Sequence, residues 1–196
     1  MTRSILEPTV SILDIPCHTV LQNGRQEWLV DGKLHRPDGP AVIHAHGTQK
    51  WYLGDKRHRL DGPAIIHADG SQEWYIHDKR HRLDGPAVIH PNGTQSWYID
   101  GKRHRLDGPA YIDADGSQEW YLDGSRHRLD APAVIHANGS QAWYINGKRH
   151  RLDGPAIIRA NGSKEWWVDN CNITHLSALA KLLHIRAYAQ IQKDAA

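Results

Sequence analysis

The 196-residue chain contains no phenylalanine, one methionine and two cysteines. Eight tryptophans and fifteen histidines stand beside that absence of Phe, a skew that points to a small set of positions copied many times. Cys17 and Cys171 lie near opposite ends, which excludes a disulfide framework or a cysteine metal finger and fits a reducing compartment. Charge of one sign is also lacking. Lys and Arg total 24 against 22 Asp and Glu, a net of +2, so no strong basic field exists to hold nucleic acid. No apolar run approaches the ~20 residues of a membrane span. Glu7, Pro8 and Asp14 interrupt the first residues, so no signal-peptide h-region is expected. The expectations are a cytoplasmic chain, no membrane span and no nucleic-acid partner.

What the sequence has in abundance is repetition. Trp28, Trp51, Trp74, Trp97, Trp120, Trp143 and Trp166 are 23 residues apart without a slip. His-Arg pairs keep the same step at His35, His58, His81, His104, His127 and His150. Asp-Gly-Pro-Ala follows each pair, with Asp130-Ala131-Pro132 as the one variant. The organisation predicted is an N-terminal cap over 1–22, six full repeats with a partial seventh over 23–170, and a C-terminal helix over 171–196.

Each unit carries two turn signals, such as Asn92-Gly93 and Asp100-Gly101, with short β-prone runs between them. Asn-Gly and Asp-Gly accept the positive φ of tight primed turns, so each unit reads as two strands. A two-residue turn at Asp100-Gly101 sets Tyr98 opposite Arg103 and Trp97 opposite His104. A similar turn upstream brings Trp97 to Val88. One face is then expected to stack Val, Trp, His and Leu106 columns and the other Tyr98, Arg103 and Arg105 columns. Asp-Gly-Pro inside the longer strand removes a ladder donor and predicts a bulge or bend. The fold class predicted is mostly β: an elongated antiparallel meander of two-stranded repeats, each touching its neighbours, closed by a capping α-helix.

From Thr174 to Lys193 there is no Gly or Pro, and Leu176, Leu179, Ala180, Leu183, Ala187 and Ile191 follow helical spacing behind a Thr174 suited to capping. An open meander ends in unpaired backbone, and a helix over that edge is one protection. Binding a partner is the alternative role.

The unit Trp97-Tyr98-Ile99-Asp100-Gly101-Lys102-Arg103-His104, with Ala114-Asp115-Gly116-Ser117 downstream, resembles the MORN repeat, also of 23-residue period. The MORN unit follows His with Gly-x-Gly, whereas here Arg-Leu-Asp-Gly-Pro-Ala intervenes. The chain is most similar in style to His-Arg-x-Asp-Gly-Pro-Ala relatives of phages, giant viruses and some bacteria. The resemblance implies a β-meander that binds or scaffolds, in a bacterial or phage-infected cell, and brings no catalytic residue.

The histidines invite a metal reading, but equivalent positions in successive units stand ~10 Å apart at normal strand spacing, too far for one ion with ~2 Å bonds. Packing of His against Trp is expected instead. Hydrolytic chemistry needs dissimilar groups converging in a pocket, which a translated column does not supply. Catalytic, cofactor and metal residues are accordingly none. The Arg columns beside Tyr could track an anion, yet internal carboxylates and the near-zero net charge favour structural ladders. Specific recognition needs departures from the repeat, and Trp167, Arg159, Tyr111 and Lys50 are the partner-binding candidates. The function expected is a non-enzymatic protein-binding or scaffolding module whose partner is another protein or a second copy. An antitoxin or anti-defence inhibitor acting by occupancy is one alternative. Binding of an anionic lipid or nucleotide by the Arg-Tyr face is the other.

Overall fold

The computed structural model describes residues 16–194. The chain forms a long antiparallel meander followed by one helix, α1 (Ala178–Asp194). Two strands from each unit join in sequence order into a fifteen-stranded sheet, with Val88–Ile89 and Gln95–Ser96 as a typical pair. Among the described residues the sheet begins at Cys17–Val20, which pairs with Gln26–Val30. Part of the expected N-terminal cap is thus its first strand, and residues 1–15 of that cap lie outside the described residues.

From the second unit to the sixth there are four short strands each, because one long strand bends at Trp and the other is interrupted by the Asp-Gly-Pro segment. Tyr98–Ile99 and Lys102–Arg103 form a separate hairpin. The ladder nevertheless runs through the bend: Trp97 N–H donates to the Ala110 carbonyl at 2.9 Å, and His104 N–H donates to the Trp97 carbonyl at 3.2 Å. Tyr98 faces Arg103 and Ile99 faces Lys102, the register set by a two-residue turn at Asp100 (φ 49°) and Gly101 (φ 81°).

The upstream hairpin differs from expectation. Gly93 N–H bonds the His90 carbonyl at 3.0 Å and His90 N–H bonds the Thr94 carbonyl at 2.9 Å, which leaves three loop residues. This is a type I turn followed by a left-handed glycine, Gly93 at φ 92°. The added residue pairs Val88 with Ser96 instead of Trp97. Val and Trp columns therefore do not share the register that a two-residue loop would impose.

The core is a thin line of small residues. Ala41, Ala64, Ala87, Ala110, Ala133 and Ala156 are fully buried, beside buried Val42, Ile65, Val88 and Val134. Buried hydroxyls tie successive units together, as where Thr94 Oγ1 accepts from Ala114 N–H at 3.2 Å and Ser117 Oγ from Ala137 N–H at 3.0 Å.

The array stops by substitution of its own repeat. Ile173 takes the histidine place, with its N–H on the Trp166 carbonyl at 2.9 Å, and is buried. No seventh Ala carbonyl follows, and Thr174 Oγ1 accepts from Trp166 N–H at 2.9 Å instead. Thr174 is therefore not the helix cap. Ser177 is, with its hydroxyl accepting from Ala180 N–H at 3.3 Å.

Candidate interaction surface

The Asp-Gly-Pro segment is a loop built around arginine. Arg105 Nε donates to Asp107 Oδ1 at 2.8 Å and Nη1 donates to the Pro109 carbonyl at 3.3 Å. Its guanidinium lies 4.2 Å from the Trp97 ring centroid. On its other side is Gly108, where an added Cβ would stand 3.0 Å from Arg105 Cζ. Arginine is thus held between an indole and a bare backbone, and glycine leaves room for its close approach. Arg36, Arg59, Arg82, Arg128 and Arg151 repeat the stack on Trp28, Trp51, Trp74, Trp120 and Trp143. Where Ala131 replaces the glycine, Arg128 still stacks on Trp120 at 4.1 Å and still bonds Asp130 at 3.3 Å.

These contacts correct two expectations. Arg105 belongs to the Trp column and not to the Tyr column. Among the repeat histidines, packing is directed to the next unit's turn instead of to Trp: His81 Nδ1 lies 3.1 Å from Asp100 Oδ1, and His104 Nδ1 lies 3.0 Å from Asp123 Oδ1. The same Nδ1 atoms lie 3.2 and 3.3 Å from the backbone N–H of Asp100 and Asp123. Each ring so has a partner in either protonation state, accepting from N–H when Nδ1 is bare and donating to carboxylate when it is protonated. His127 meets Asn146 in the same way at 2.8 Å, and His150 Nδ1 accepts from Asp169 N–H at 3.2 Å.

Two junctions depart from this pattern: His35 meets Gly54, which has no side chain to offer it, and His58 meets a second histidine. His58 faces His77, ring centroids 4.3 Å apart, and the buried His58 Nδ1 has no hydrogen-bond partner. Burial, reinforced by the neighbouring His77, holds His58 below the ordinary histidine value.

The loop leaves its leucine outside. Leu60, Leu83, Leu106 and Leu129 are 79, 80, 83 and 76% exposed, so Leu106 is not part of a packed column. Between successive loops lie shallow clefts of 270 to 550 Å³, lined by Arg, Leu and Asp of two adjacent units and by Trp, with Pro37 in the place of one leucine in the first. Sequence reasoning missed this surface. A signal was present in the first unit, where Pro37 replaces leucine while Arg36, Asp38, Gly39 and Pro40 remain. A position that accepts proline inside a fixed frame is not a core position.

The opposite hairpins carry tyrosine interleaved with arginine. Arg57 lies 4.1 Å from the Tyr75 ring, and Arg80 lies 5.8 and 5.4 Å from Tyr75 and Tyr98. Arg57, Arg80 and Arg126 pair with Asp78, Glu73 and Glu119 at 2.7, 2.9 and 3.0 Å. Burial alone would push the Glu73 carboxyl up, but hydrogen bonds from His67, Tyr75 and Arg80 outweigh it and hold the group below its usual value. Arg103 and Arg149 instead donate to tyrosine hydroxyls, Tyr98 at 3.2 Å and Tyr144 at 3.3 Å.

The four candidate partner-binding residues do not converge. Lys50 pairs with Val42 and Ile65, whereas Tyr111 pairs with Ser96 and Glu119 five strands further along the sheet, ~24 Å away. Arg103 lies 4.7 Å above the Tyr111 ring. Arg159 pairs with Glu165 and donates to Ser163 Oγ at 3.3 Å. Trp167 continues the tyrosine column: its indole N–H donates to Glu165 at 2.9 Å, and Arg149 lies 4.9 Å from its ring. The helix rests on other rings. Lys181 Nζ is 4.2 Å from the Trp166 ring, replacing the arginine that the seventh unit lacks, and Tyr188 meets His150 at 5.2 Å.

Among the described residues, no group of three or more His, Cys, Asp or Glu is placed to share a metal ion, and no helix is long and apolar enough to cross a membrane. No protein-family model matches the chain, and no curated protein matches it in sequence.

Proposed function

We propose that the chain is a non-enzymatic, MORN-like repeat module that binds another protein along its line of exposed leucines. The observation that carries this reading is the fourfold recurrence of Leu60, Leu83, Leu106 and Leu129 at 76 to 83% exposure. Each sits on a loop anchored by Arg on Trp, with Gly beside the Arg in three of the four, so the apolar tips are presented by a rigid frame, which lowers the ordering cost of binding. Contiguous exposed apolar surface marks interaction sites far more often than scattered single residues do. Occupancy of a target by this surface is also how an antitoxin or anti-defence inhibitor of phage or bacterial origin would act.

The test is affinity capture from the native cells with the parent chain and with Leu83→Asp/Leu106→Asp. The parent should retain a stoichiometric protein complex at moderate salt, and the variant should lose it. Equal capture by both would remove the leucine line as the binding surface.

One observation favours a second reading, an anionic lipid or nucleotide on the Arg-Tyr side. Arg103 and Arg149 bond tyrosine hydroxyls and, among the described residues, form no ion pair with a carboxylate. Binding of that kind should weaken steeply as salt rises and should survive the leucine substitutions.

A further inference from the structure

The molecule exposes a second apolar stripe. Along α1, Leu179, Leu182, Leu183 and Ile191 are 67, 44, 57 and 63% exposed, because the helix turns Lys181 and Tyr188 toward the repeats. The apolar face read from the sequence is therefore the outward one. A helix that merely capped the array would direct those leucines inward.

We infer that this outward stripe seats on the leucine line of a second copy, and that the two copies do so reciprocally in a closed antiparallel pair. The spacings agree. Successive leucines of the line are two strands, ~9.6 Å, apart, so two steps span ~19 Å. Leu179 to Ile191 is twelve residues, ~18 Å of helix. The ends of the helical stripe thus meet leucines two units apart, and Leu183 and Ala187 fill the clefts between.

Charge agrees as well. The helix carries Lys181, Arg186 and Lys193 against Asp194 alone. The leucine line is edged by Asp61, Asp84, Asp107 and Asp130, whose side chains are 83, 83, 82 and 81% exposed. Each bonds its arginine through Oδ1, which leaves Oδ2 to face Arg186 or Lys193 of the other copy.

A helix cannot cover its own line in this way, since its inner face already occupies His150 and Trp166. In the unit beneath it, Leu152 is 37% exposed, against 76% or more for the four free leucines. With both stripes on one chain, a two-fold axis satisfies both at once. Two footprints ~25 Å long and ~10 Å wide, counted on both surfaces, bury ~1,000 Å², the lower bound for a specific interface.

The pairing rests on the reading of the leucine line as the binding surface, and it is testable without a partner. Sedimentation of the full chain across a wide concentration range should show monomer and dimer. Leu83→Asp/Leu106→Asp and Leu179→Asp/Leu183→Asp alter exposed side chains, and each should weaken the dimer at least tenfold with an unchanged far-UV spectrum. In a Cys17→Ser/Cys171→Ser background, a mixture of Leu106→Cys and Leu183→Cys chains should form a disulfide dimer that neither forms alone. A chain monomeric at every concentration, or cross-linking of Leu183→Cys to itself in preference to Leu106→Cys, would overturn the pairing. A monomer that still loses heterologous capture on Leu83→Asp/Leu106→Asp would overturn the pairing alone and leave the binding reading in place.

Discussion

Replacing Arg105 by alanine removes the element that joins the loop to the sheet in a central unit. Three contacts go at once: the stack at 4.2 Å on Trp97, the bond to the Pro109 carbonyl and the ion pair with Asp107. A partly desolvated cation–π contact contributes about 1 kcal/mol, and a hydrogen bond from a charged donor about 1.5 kcal/mol. Asp107 is fully exposed, so its pairing adds nothing countable in water. The expected loss is about 2.5 kcal/mol, or ~5–10 °C in Tm for a chain of this length, read by urea and thermal unfolding. Arg105→Lys should recover less than half, because a point charge cannot lie flat between indole and Gly108 while reaching both acceptors. A cycle with Trp97→Leu isolates the stack, and its coupling should be about 1 kcal/mol. Strict additivity of Arg105→Met and Trp97→Leu would refute the argument that arginine, and not histidine, packs the tryptophan column.

Other consequences are accessible to the same measurements. Trp97→Ala should cost about 2–3 kcal/mol, less than a fully buried aromatic, since Trp97 is only half-buried, and Trp28→Ala at the end unit should cost less again. Thr174→Val leaves Trp166 N–H without its acceptor and should lower stability by about 1–3 kcal/mol, whereas Thr174→Ser should not. His58 has a folded value below its unfolded one, so its contribution is complete above pH ~6.5 and is lost as pH falls further. His77→Asp, which restores the pairing of the other units, should flatten that acid loss in unfolding curves taken at successive pH values, and an unchanged slope would contradict the His58–His77 account.

The period and the hairpin register at Asp100-Gly101 are legible in the sequence because both are local: residue spacing fixes one and turn chemistry the other. Asn92-Gly93 carries the same dipeptide chemistry yet closes a three-residue loop. The dipeptide does not state which of its residues takes the left-handed conformation, and one residue of slip moved Val88 from Trp97 to Ser96. Assigning Arg105 by strand alternation failed for a different reason. The chain leaves the ladder after His104, and alternation has no meaning in a loop. The helix was legible in its apolar spacing but not in its orientation. Periodicity defines a face and does not say whether that face meets the molecule's own array or another surface. Leu60, Leu83, Leu106 and Leu129 illustrate the converse, since a recurring leucine reads as core until the loop that expels it is known.

The most direct test of the leucine line as the interaction surface is a hydrogen-exchange footprint of the chain in its captured complex against the chain alone at a dilution where it is monomeric. Protection should rise in the loops at 59–63, 82–86, 105–109 and 128–132, with the Tyr-Arg hairpins unchanged. Protection confined to hairpins such as Tyr98–Ile99 and Lys102–Arg103, with the leucine loops unaffected, would contradict the account.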